Sequence, residues 1–244
     1  MADQTESNTP LLEVRNVDLG YDRLEVVHDV SLVVGSHELV GLVGGNGSGK
    51  STILRAVSGM IAPWAGEIVF DGQQVNGRKP HQMAELGLAH VPMGRQLFPD
   101  MSVEENLKLG AFLPSARERR EENLRRVYDL FPDLAGKRRQ AAGALSGGQQ
   151  QMVAVARALM LGPKMLIMDE PSLGLAPRLV QDVMQVIRTV ADSGLAILLV
   201  EQNVMQVLRI SDRAYVLENG KLVIQGTSSE LMGNAEVKRA YLGI

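Results

Sequence analysis

The glycine-rich stretch GLVGGNGSGKST, residues 41–52, constrains the fold more than any other part of the sequence. It contains the complete pattern G-x-x-x-x-G-K-[ST], in which Gly44 and Gly49 are followed by Lys50 and Ser51. An apolar run precedes the pattern, and apolar residues at helical spacing follow it. Because this pattern binds phosphate only between a strand and a helix, the context favours a phosphate-binding loop over an ordinary glycine turn before a lysine.

Each residue type in this loop suits a nucleotide phosphate. Glycines let backbone N–H groups converge on phosphate oxygens, and the helix that follows presents its positive N-terminus. Lys50 is a point charge for the β- and γ-phosphates, and the Ser51 hydroxyl is a ligand for Mg²⁺. The residues expected to contact the nucleotide are Gly44, Gly45, Asn46, Gly47, Ser48, Gly49, Lys50, Ser51 and Thr52.

A second candidate site lies at the end of the apolar run in MLIMDEP, where Asp169 and Glu170 are adjacent. A buried strand of this kind carries its end to the same sheet edge as the phosphate loop. Since neighbouring side chains of an extended chain point in opposite directions, we expect Asp169 to face Mg²⁺ and Glu170 to face an attacking water. Asp169 is therefore the predicted metal partner and Glu170 the predicted general base. Alone, the pair would fit a simple strand-end turn.

The apolar pattern along the chain predicts an α/β core that is split by a helical insert at about 95–160. Strands are expected at 11–21, 24–35, 37–44, 66–72, 87–92, 164–170, 195–202 and in a hairpin at 213–226. Helices are expected at 50–60, 101–112, 115–134, 177–193, 203–210 and in short form after 227. Residues 1–10 are predicted to be a disordered tail, and residues 11–244 a single domain.

Charge and composition exclude several classes of protein. The 244-residue chain has a net charge of −3, which argues against a nucleic-acid binder. The charge run RERREENLRR fits a solvated helix face better than a nucleic-acid patch. Cys is absent, which excludes disulfides and cysteine metal sites. No apolar run reaches the roughly 18 to 20 residues of a membrane span, so we expect a cytoplasmic protein whose membrane role, if any, comes through a partner.

A third motif, LSGGQQQ at residues 145–151, follows the helical insert and precedes an apolar helix. Ser146 is suited to cap that helix, and Gly147 and Gly148 leave backbone N–H groups accessible to an anion. By itself, the motif would be an ordinary Ser/Gly N-cap.

Together, the three motifs resemble the ATPase domain of ABC (ATP-binding cassette) proteins over nearly the whole chain from about residue 11. The resemblance implies a P-loop NTPase fold of the α/β class, with a RecA-like core, an antiparallel β subdomain and a helical subdomain insert. It implies ATP and Mg²⁺ as cofactors, and a head-to-tail dimer in which the LSGGQ motif of one subunit covers the ATP of the other. The residues implied to act on that second ATP are Ser146, Gly147, Gly148 and Gln149. Tyr21 matches the aromatic residue that stacks on adenine.

Three positions depart from the pattern of the family. Met93 stands where a Gln usually contacts Mg²⁺, and a thioether is a poor ligand for a hard cation. Gln202 stands where a His usually contacts the γ-phosphate; its amide can donate a hydrogen bond but carries no proton charge. Ala176 replaces an Asp in a loop that crosses the dimer interface. Gln96 is close enough in sequence to Met93 to be considered as a substitute ligand.

The segments EPSLGLAP and VEQN and the ending RAYLGI resemble a subgroup, the LivF-type ATPases of branched-chain amino acid uptake systems. In that subgroup the position of Met93 is commonly Glu, so we expect Met93 to weaken Mg²⁺ retention or coupling. The implied activity is ATP hydrolysis to ADP and phosphate that drives transport, with Glu170, Lys50 and Gln202 as catalytic residues. The implied partners are a second ABC ATPase (the same or a different chain), two transmembrane permeases and, indirectly, an extracytoplasmic solute-binding protein. The resemblance places the chain at the cytoplasmic face of the membrane.

Two other functions fit parts of the sequence. A weakly active regulatory subunit is favoured by the three departures, but Lys50, Ser51, Asp169 and Glu170 are all intact. A soluble ABC ATPase acting on nucleic acid or ribosomes commonly has two cassettes, long coiled-coil inserts or basic patches, and the sequence shows none of these. The importer ATPase is therefore the preferred hypothesis. Its solute stays open, because cassette ATPases do not bind the solute.

Overall fold

The structure, a computed structural model, describes residues 10–239. The predicted tail at 1–10 thus lies, apart from Pro10, outside the described residues, as does the end of the last predicted helix. The strands are β1 (Leu12–Tyr21), β2 (Leu24–Val34), β3 (Leu39–Val43), β4 (Ala65–Phe70), β5 (Gln73–Gln74), β6 (Leu88–Val91), β7 (Met165–Asp169), β8 (Ala196–Glu201), β9 (Arg213–Glu218) and β10 (Lys221–Thr227). The helices are α1 (Lys50–Val57), α2 (Pro80–Leu86), α3 (Val103–Gly110), α4 (Pro114–Glu118), α5 (Arg120–Leu130), α6 (Pro132–Ala135), α7 (Gly147–Leu159), α8 (Pro177–Asp192), α9 (Val204–Leu208), α10 (Ser228–Gly233) and α11 (Ala235–Val237).

A six-stranded sheet with the order β10-β9-β3-β8-β7-β6 forms the core. All neighbouring pairs are parallel except β9 and β10, which form the predicted hairpin. The central strand β3 is buried at every residue, as expected for a strand with helices on both faces. Because Val43 pairs with Glu201 and Val200 pairs with Asp169, the carboxyl ends of β3, β8 and β7 meet at one edge. That edge is where ligands bind in open α/β sheets.

A second sheet is antiparallel, with the order β2-β1-β4-β5. Its first hairpin turns at Asp22, which has φ +52°, a left-handed conformation that Asp tolerates better than most residues. The long strand β1 ends at Tyr21 and packs against α1. The antiparallel sheet therefore brings Tyr21 beside the helix that follows the phosphate loop.

Helices α3 to α7 lie between β6 and β7, in the region predicted to be helical. In the predicted helix at 115–134, Leu124, Val127 and Phe131 are buried. The continuous helix predicted at 115–134 is divided into α4, α5 and α6. The break before α6 has a physical cause, since Pro132 disfavours the helical conformation for the residue before it, and Phe131 has φ −129°.

The predicted α/β core, antiparallel sheet and helical insert are confirmed. Three elements within residues 10–239 were not predicted from the sequence: the two-residue strand β5, the helix α2 and a short 3-10 helix at Ala142–Ala144. Among the residues that the structure describes, none of the helices combines the length and the apolar character needed to cross a membrane.

Candidate active site

The phosphate loop connects β3 to α1 and has the conformation that its glycines permit. Gly49 has φ +107°, and a Cβ there would lie 2.9 Å from the side chain of Val27. Lys50 begins α1 and is only 4% exposed. Its Nζ donates hydrogen bonds to the carbonyl oxygens of Gly44 and Gly45, both at 2.9 Å. The loop thus holds a buried cation next to its own backbone N–H groups, which is an arrangement suited to phosphate.

Ser51 and Asp169 are brought together from parts of the chain that are 118 residues apart. The Ser51 hydroxyl donates a hydrogen bond to Asp169 Oδ1 over 3.0 Å. Burial raises the pKa of Asp169, while this hydrogen bond from Ser51 opposes the rise.

This pair of oxygen donors fits Mg²⁺. The ion is usually bound through one or two carboxylates, with substrate phosphates and waters completing its coordination. No group of three or more His, Asp or Glu side chains able to hold a metal occurs within residues 10–239. A metal at this edge would therefore be held by Ser51, Asp169 and phosphate oxygens together.

Glu170 is positioned by a backbone conformation that the sequence did not predict. It has φ +45°, in the left-handed region, so the expected alternation of an extended chain is wrong at this residue. The carboxylate lies between Lys50 and Gln202. Its Oε1 lies 3.5 Å from Lys50 Nζ, and its Oε2 accepts a hydrogen bond from Gln202 Nε2 at 2.9 Å. A left-handed non-glycine residue is strained and is held only where its surroundings over-determine it.

Gln202 connects the carboxylate to the phosphate loop. Its Nε2 donates to Glu170 and also to Asn46 Oδ1. Asn46 is exposed at the tip of the loop. The amide therefore lies between the phosphate loop and the predicted general base, where a hydrogen-bond donor can reach a phosphate oxygen.

Tyr21 lies beside α1, where both its hydroxyl and its ring contact Arg55. Its hydroxyl accepts a hydrogen bond from Arg55 Nη1 at 2.9 Å and lies 3.4 Å from Thr52 Oγ1. The Arg55 guanidinium stands over the ring at 5.7 Å from its centroid, a distance typical of a cation–π contact. Arg55 was not identified from the sequence, although its spacing of four residues after Ser51 on one helix face was a usable signal.

The LSGGQ segment forms the N-terminus of α7. Ser146 caps the helix: its side chain accepts from the Gln149 N–H at 3.4 Å, while the Gln149 side chain accepts from the Ser146 N–H at 3.2 Å. The Gln149 side chain is thus engaged within its own chain. Among the described residues, no hydrogen bond joins 146–149 to 44–52, so a single chain does not unite these two predicted halves of a site.

The two glycines of this segment are packed closely by their own chain. A Cβ at Gly147 would lie 3.1 Å from Leu175, and a Cβ at Gly148 would lie 3.2 Å from Leu179. Arg95 also approaches Gly147, and its Nη1 donates to the side chain of Gln150 at 2.9 Å. A Cβ at either position would therefore be a tight fit, so small residues suit the internal packing here as well as access to an anion.

The structure also locates the other two departures, Met93 and Ala176, and the candidate substitute ligand Gln96. Met93 is 49% exposed, in the loop after β6. The Gln96 side chain makes no hydrogen bond to any described residue, and its backbone carbonyl accepts from Arg157 at 2.8 Å. Ala176 stands at the N-cap of α8, where its side chain offers no cap.

A largely apolar groove of about 480 Å³ lies between the core and the helical insert. Residues from α2, α3, β6, α7 and neighbouring loops, including the one after α1, line it. The large apolar side chains in it are Met60, Met83, Phe98, Leu109, Phe112 and Leu161. Of these, Met60, Phe98, Leu109 and Phe112 are exposed. Large exposed apolar patches mark interaction sites.

His90 lines this groove and is predicted to make stability depend on pH. Burial, together with the nearby charge of Arg55, lowers its pKa to about 4, whereas an unfolded histidine titrates near 6.5. The unfolded chain therefore binds more protons between about pH 4 and 6.5, and stability rises with pH across that window. We expect His90 to account for a loss of about 2 kcal/mol between pH 7.5 and pH 5. Urea unfolding of wild type and His90→Gln at both pH values measures it; equal losses in both proteins would contradict it.

Comparison with known proteins gives consistent results. The family model described as ABC transporter matches residues 27–173. The chain is 41% identical to the high-affinity branched-chain amino acid transport ATP-binding protein BraG of Pseudomonas aeruginosa, over 96% of this chain and 100% of BraG. It is 34% identical to the probable branched-chain amino acid transport ATP-binding protein LivF of Archaeoglobus fulgidus, over 96% and 99% of the two chains. It is 35% identical to the lipopolysaccharide export system ATP-binding protein LptB of Escherichia coli K12, over 95% and 97%.

Solved structures support the same fold. An ATP-binding cassette of an ABC transporter, in its ADP conformation, superposes with a TM-score of 0.85 at 26% identity, covering 97% of this chain and 100% of that one.

Proposed function

Because the chain belongs to the ABC transporter family of ATP-binding cassettes, we propose that it is the ATP-hydrolysing subunit of a membrane importer for branched-chain amino acids. It is an ATPase whose hydrolysis is coupled to transport, as family membership establishes. The observation that carries the importer proposal is the 41% identity to BraG along nearly the full length of both chains. The EPSLGLAP and VEQN segments support the same subgroup.

The chemistry proposed for the site follows from the contacts of its residues. Lys50 and the backbone of the phosphate loop bind the β- and γ-phosphates, and Tyr21 stacks on adenine. Ser51 and Asp169 would hold Mg²⁺, which would neutralise phosphate charge when bound. Glu170 accepts the proton of the attacking water. Gln202 donates to Glu170 Oε2 at 2.9 Å and to Asn46 Oδ1; when ATP binds, the N–H now used by Asn46 would turn to the γ-phosphate.

A second cassette completes the site in this proposal. The N-terminus of α7, a helix of 13 residues, carries a positive partial charge that favours an anion. We assign Ser146, Gly147, Gly148 and Gln149 to the ATP held by the partner cassette. ATP binding would close the pair, and hydrolysis would reopen it. The partner is a second ABC ATPase, either a copy of this chain or a different one.

The apolar groove is the proposed docking site for two transmembrane permeases. Its exposed Phe98, Leu109 and Phe112 lie on the helical insert and the loop before it, where large apolar side chains are open to a partner. Docking there would hold the chain at the cytoplasmic face of the membrane. An extracytoplasmic solute-binding protein would deliver the amino acid to the permeases.

Met93 provides a prediction about coupling. A thioether is a weak ligand for Mg²⁺, whereas a carboxylate or amide oxygen is a good one. Met93 is exposed, so Met93→Glu or Met93→Gln can be accommodated without repacking. We expect either change to raise permease-stimulated ATPase activity about two- to tenfold, because it adds an oxygen ligand for Mg²⁺. The Mg²⁺ concentration that gives half the maximal rate should fall. Met93→Leu is the matched control. Unchanged rate and metal dependence in all three variants would contradict the prediction.

A second candidate function is supported by the relationship to LptB. The identity to LptB is 35%, and the identity to LivF is 34%. The alternative is therefore that the chain is the ATPase subunit of an exporter of a lipid-type cargo. A regulatory subunit without activity is disfavoured, because Lys50, Ser51, Asp169 and Glu170 are all in contact with a site partner.

Affinity purification of the tagged chain from solubilised membranes of its own cells tests the proposal. We expect two polytopic permeases and a second cassette, with an amino-acid-binding protein associated. Permeases of a lipid exporter would support the alternative. Ribosomal proteins or nucleic acid, with no membrane partner, would overturn both.

A further inference from the structure

Glu201 is a buried carboxylate that the proposed hydrolysis does not use. It is the last residue of β8 and is 3% exposed. Burial raises its pKa, and within residues 10–239 no Lys, Arg or His forms an ion pair with it. Its Oε1 instead accepts a hydrogen bond from the backbone N–H of Ser172 at 2.8 Å. The Ser172 side chain and the Gln202 N–H also interact with this carboxylate. Since most of these contacts are with Ser172, the carboxylate holds that part of the backbone in place.

The backbone that Glu201 fixes is the turn that begins at Glu170. The Glu170 N–H donates to the Val200 carbonyl at 2.9 Å, and the Leu173 N–H donates to the Glu170 carbonyl at 3.1 Å. Pro171 has no N–H to donate. Within residues 170–173 the Ser172 N–H is therefore the remaining backbone donor, and the Glu201 carboxylate satisfies it.

This turn sets the direction of the Glu170 side chain. Glu170 is in the left-handed region at φ +45°, a conformation that persists only when neighbouring interactions impose it. The backbone is held by two hydrogen bonds: the Glu170 N–H donates to the Val200 carbonyl, and the Ser172 N–H donates to the Glu201 carboxylate. The next residue of the same strand end, Gln202, donates to the Glu170 carboxylate itself at 2.9 Å. Glu201 thus holds the backbone next to Glu170, and Gln202 holds the Glu170 side chain.

We infer that Glu201 is a positioning residue for ATP hydrolysis: by accepting the Ser172 N–H it holds the turn that aims the Glu170 carboxylate. The inference rests on the proposed role of Glu170 as general base. In this inference Glu201 positions Glu170 through the backbone of the turn, whereas Gln202 contacts the Glu170 side chain directly.

Two variants of similar shape test the inference in the purified full-length chain with MgATP. Glu201→Met fills the same space but has no strong acceptor, whereas Glu201→Gln keeps a carbonyl oxygen for the Ser172 N–H. We expect Glu201→Met to lower kcat about 10- to 100-fold, as small misplacements of reacting groups do, with ATP affinity changed less than threefold. Glu201→Gln is expected to keep at least a third of the wild-type kcat. Ile197→Val, a small change in the buried core of the same strand, controls for destabilised β8.

Amide hydrogen exchange at Ser172 gives a readout independent of activity: it should accelerate in Glu201→Met and stay slow in Glu201→Gln and Ile197→Val. Wild-type kcat in Glu201→Met would overturn the inference, as would an equal fall of kcat in Ile197→Val or a loss of ATP binding that matches the loss of rate. Glu170→Gln, assayed in parallel, separates the two proposals. If it stays active, the role of Glu170 fails; if it is inactive while Glu201→Met is fully active, only the inference fails.

Discussion

Glu170→Gln is expected to lower the rate of ATP hydrolysis by about 100- to 10,000-fold, the range typical of a lost general base. The amide has nearly the same shape and still accepts the hydrogen bond that Gln202 Nε2 donates to the carboxylate at 2.9 Å. It cannot take a proton from water. ATP affinity should change less than about threefold, since the loss is confined to the step in which the proton moves.

Single-turnover hydrolysis and equilibrium ATP binding, measured on the same preparation, check this expectation. Glu67→Gln is the matched control, because Glu67 is an exposed carboxylate in the antiparallel sheet that pairs with Arg15 at 3.5 Å. It should hydrolyse ATP at the wild-type rate. Hydrolysis by Glu170→Gln within about threefold of wild type would remove Glu170 from the proposed mechanism.

Lys50→Met is expected to weaken ATP binding by about 30-fold or more, because truncating one partner of a buried charge pair costs at least about 2 kcal/mol. The same change should lower stability. Lys50 Nζ lies 3.5 Å from Glu170 Oε1, and the two side chains are 4% and 9% exposed. Removing one partner of a buried ion pair leaves an uncompensated charge, at a cost of about 3 to 5 kcal/mol.

The double variant Lys50→Met with Glu170→Gln distinguishes the two effects. Removing the second charge should restore most of the lost stability, because no unpaired charge then remains buried. It should not restore ATP binding. Urea unfolding and ATP binding of wild type, both single variants and the double variant form the cycle. Additive losses of stability would show that Lys50 and Glu170 do not stabilise each other.

The sequence was sufficient to predict the phosphate loop and the carboxylate pair because both depend on local patterns. The glycine spacing from Gly44 to Gly49 needs only the flanking strand and helix. The meeting of Ser51 and Asp169 across 118 residues follows from one general rule, that parallel strands bring their carboxyl ends to one edge. Tyr21 was identified through resemblance, since one tyrosine at a strand end carries no signal of its own.

What the sequence did not predict depends on individual tertiary contacts. The left-handed backbone of Glu170 cannot be read from a run that otherwise has the pattern of a strand, because it arises from hydrogen bonds to β8. The partners of Glu201 and Arg55 lie on other elements. The apolar groove is formed by residues that are separated along the chain, and single apolar residues such as Phe98 and Phe112 have no distinctive periodicity.

The LSGGQ segment illustrates the same limit. Its cap, Ser146, was predicted from the sequence, whereas the reciprocal hydrogen bond to the Gln149 side chain was not. The contacts of Leu175 with Gly147 and of Leu179 with Gly148 were not predicted either. They connect the loop after Glu170 to the segment assigned to the partner's ATP.

Uptake of labelled leucine by cells of the source organism tests the central claim most directly. Four strains would be compared: cells lacking the chain, and the same cells complemented with wild type, Glu170→Gln or Glu67→Gln, the last three at matched expression. The importer account predicts that wild type and Glu67→Gln restore energy-dependent uptake, while Glu170→Gln does not. Equal leucine uptake in all four strains, together with a defect in the export of an envelope lipid, would contradict it.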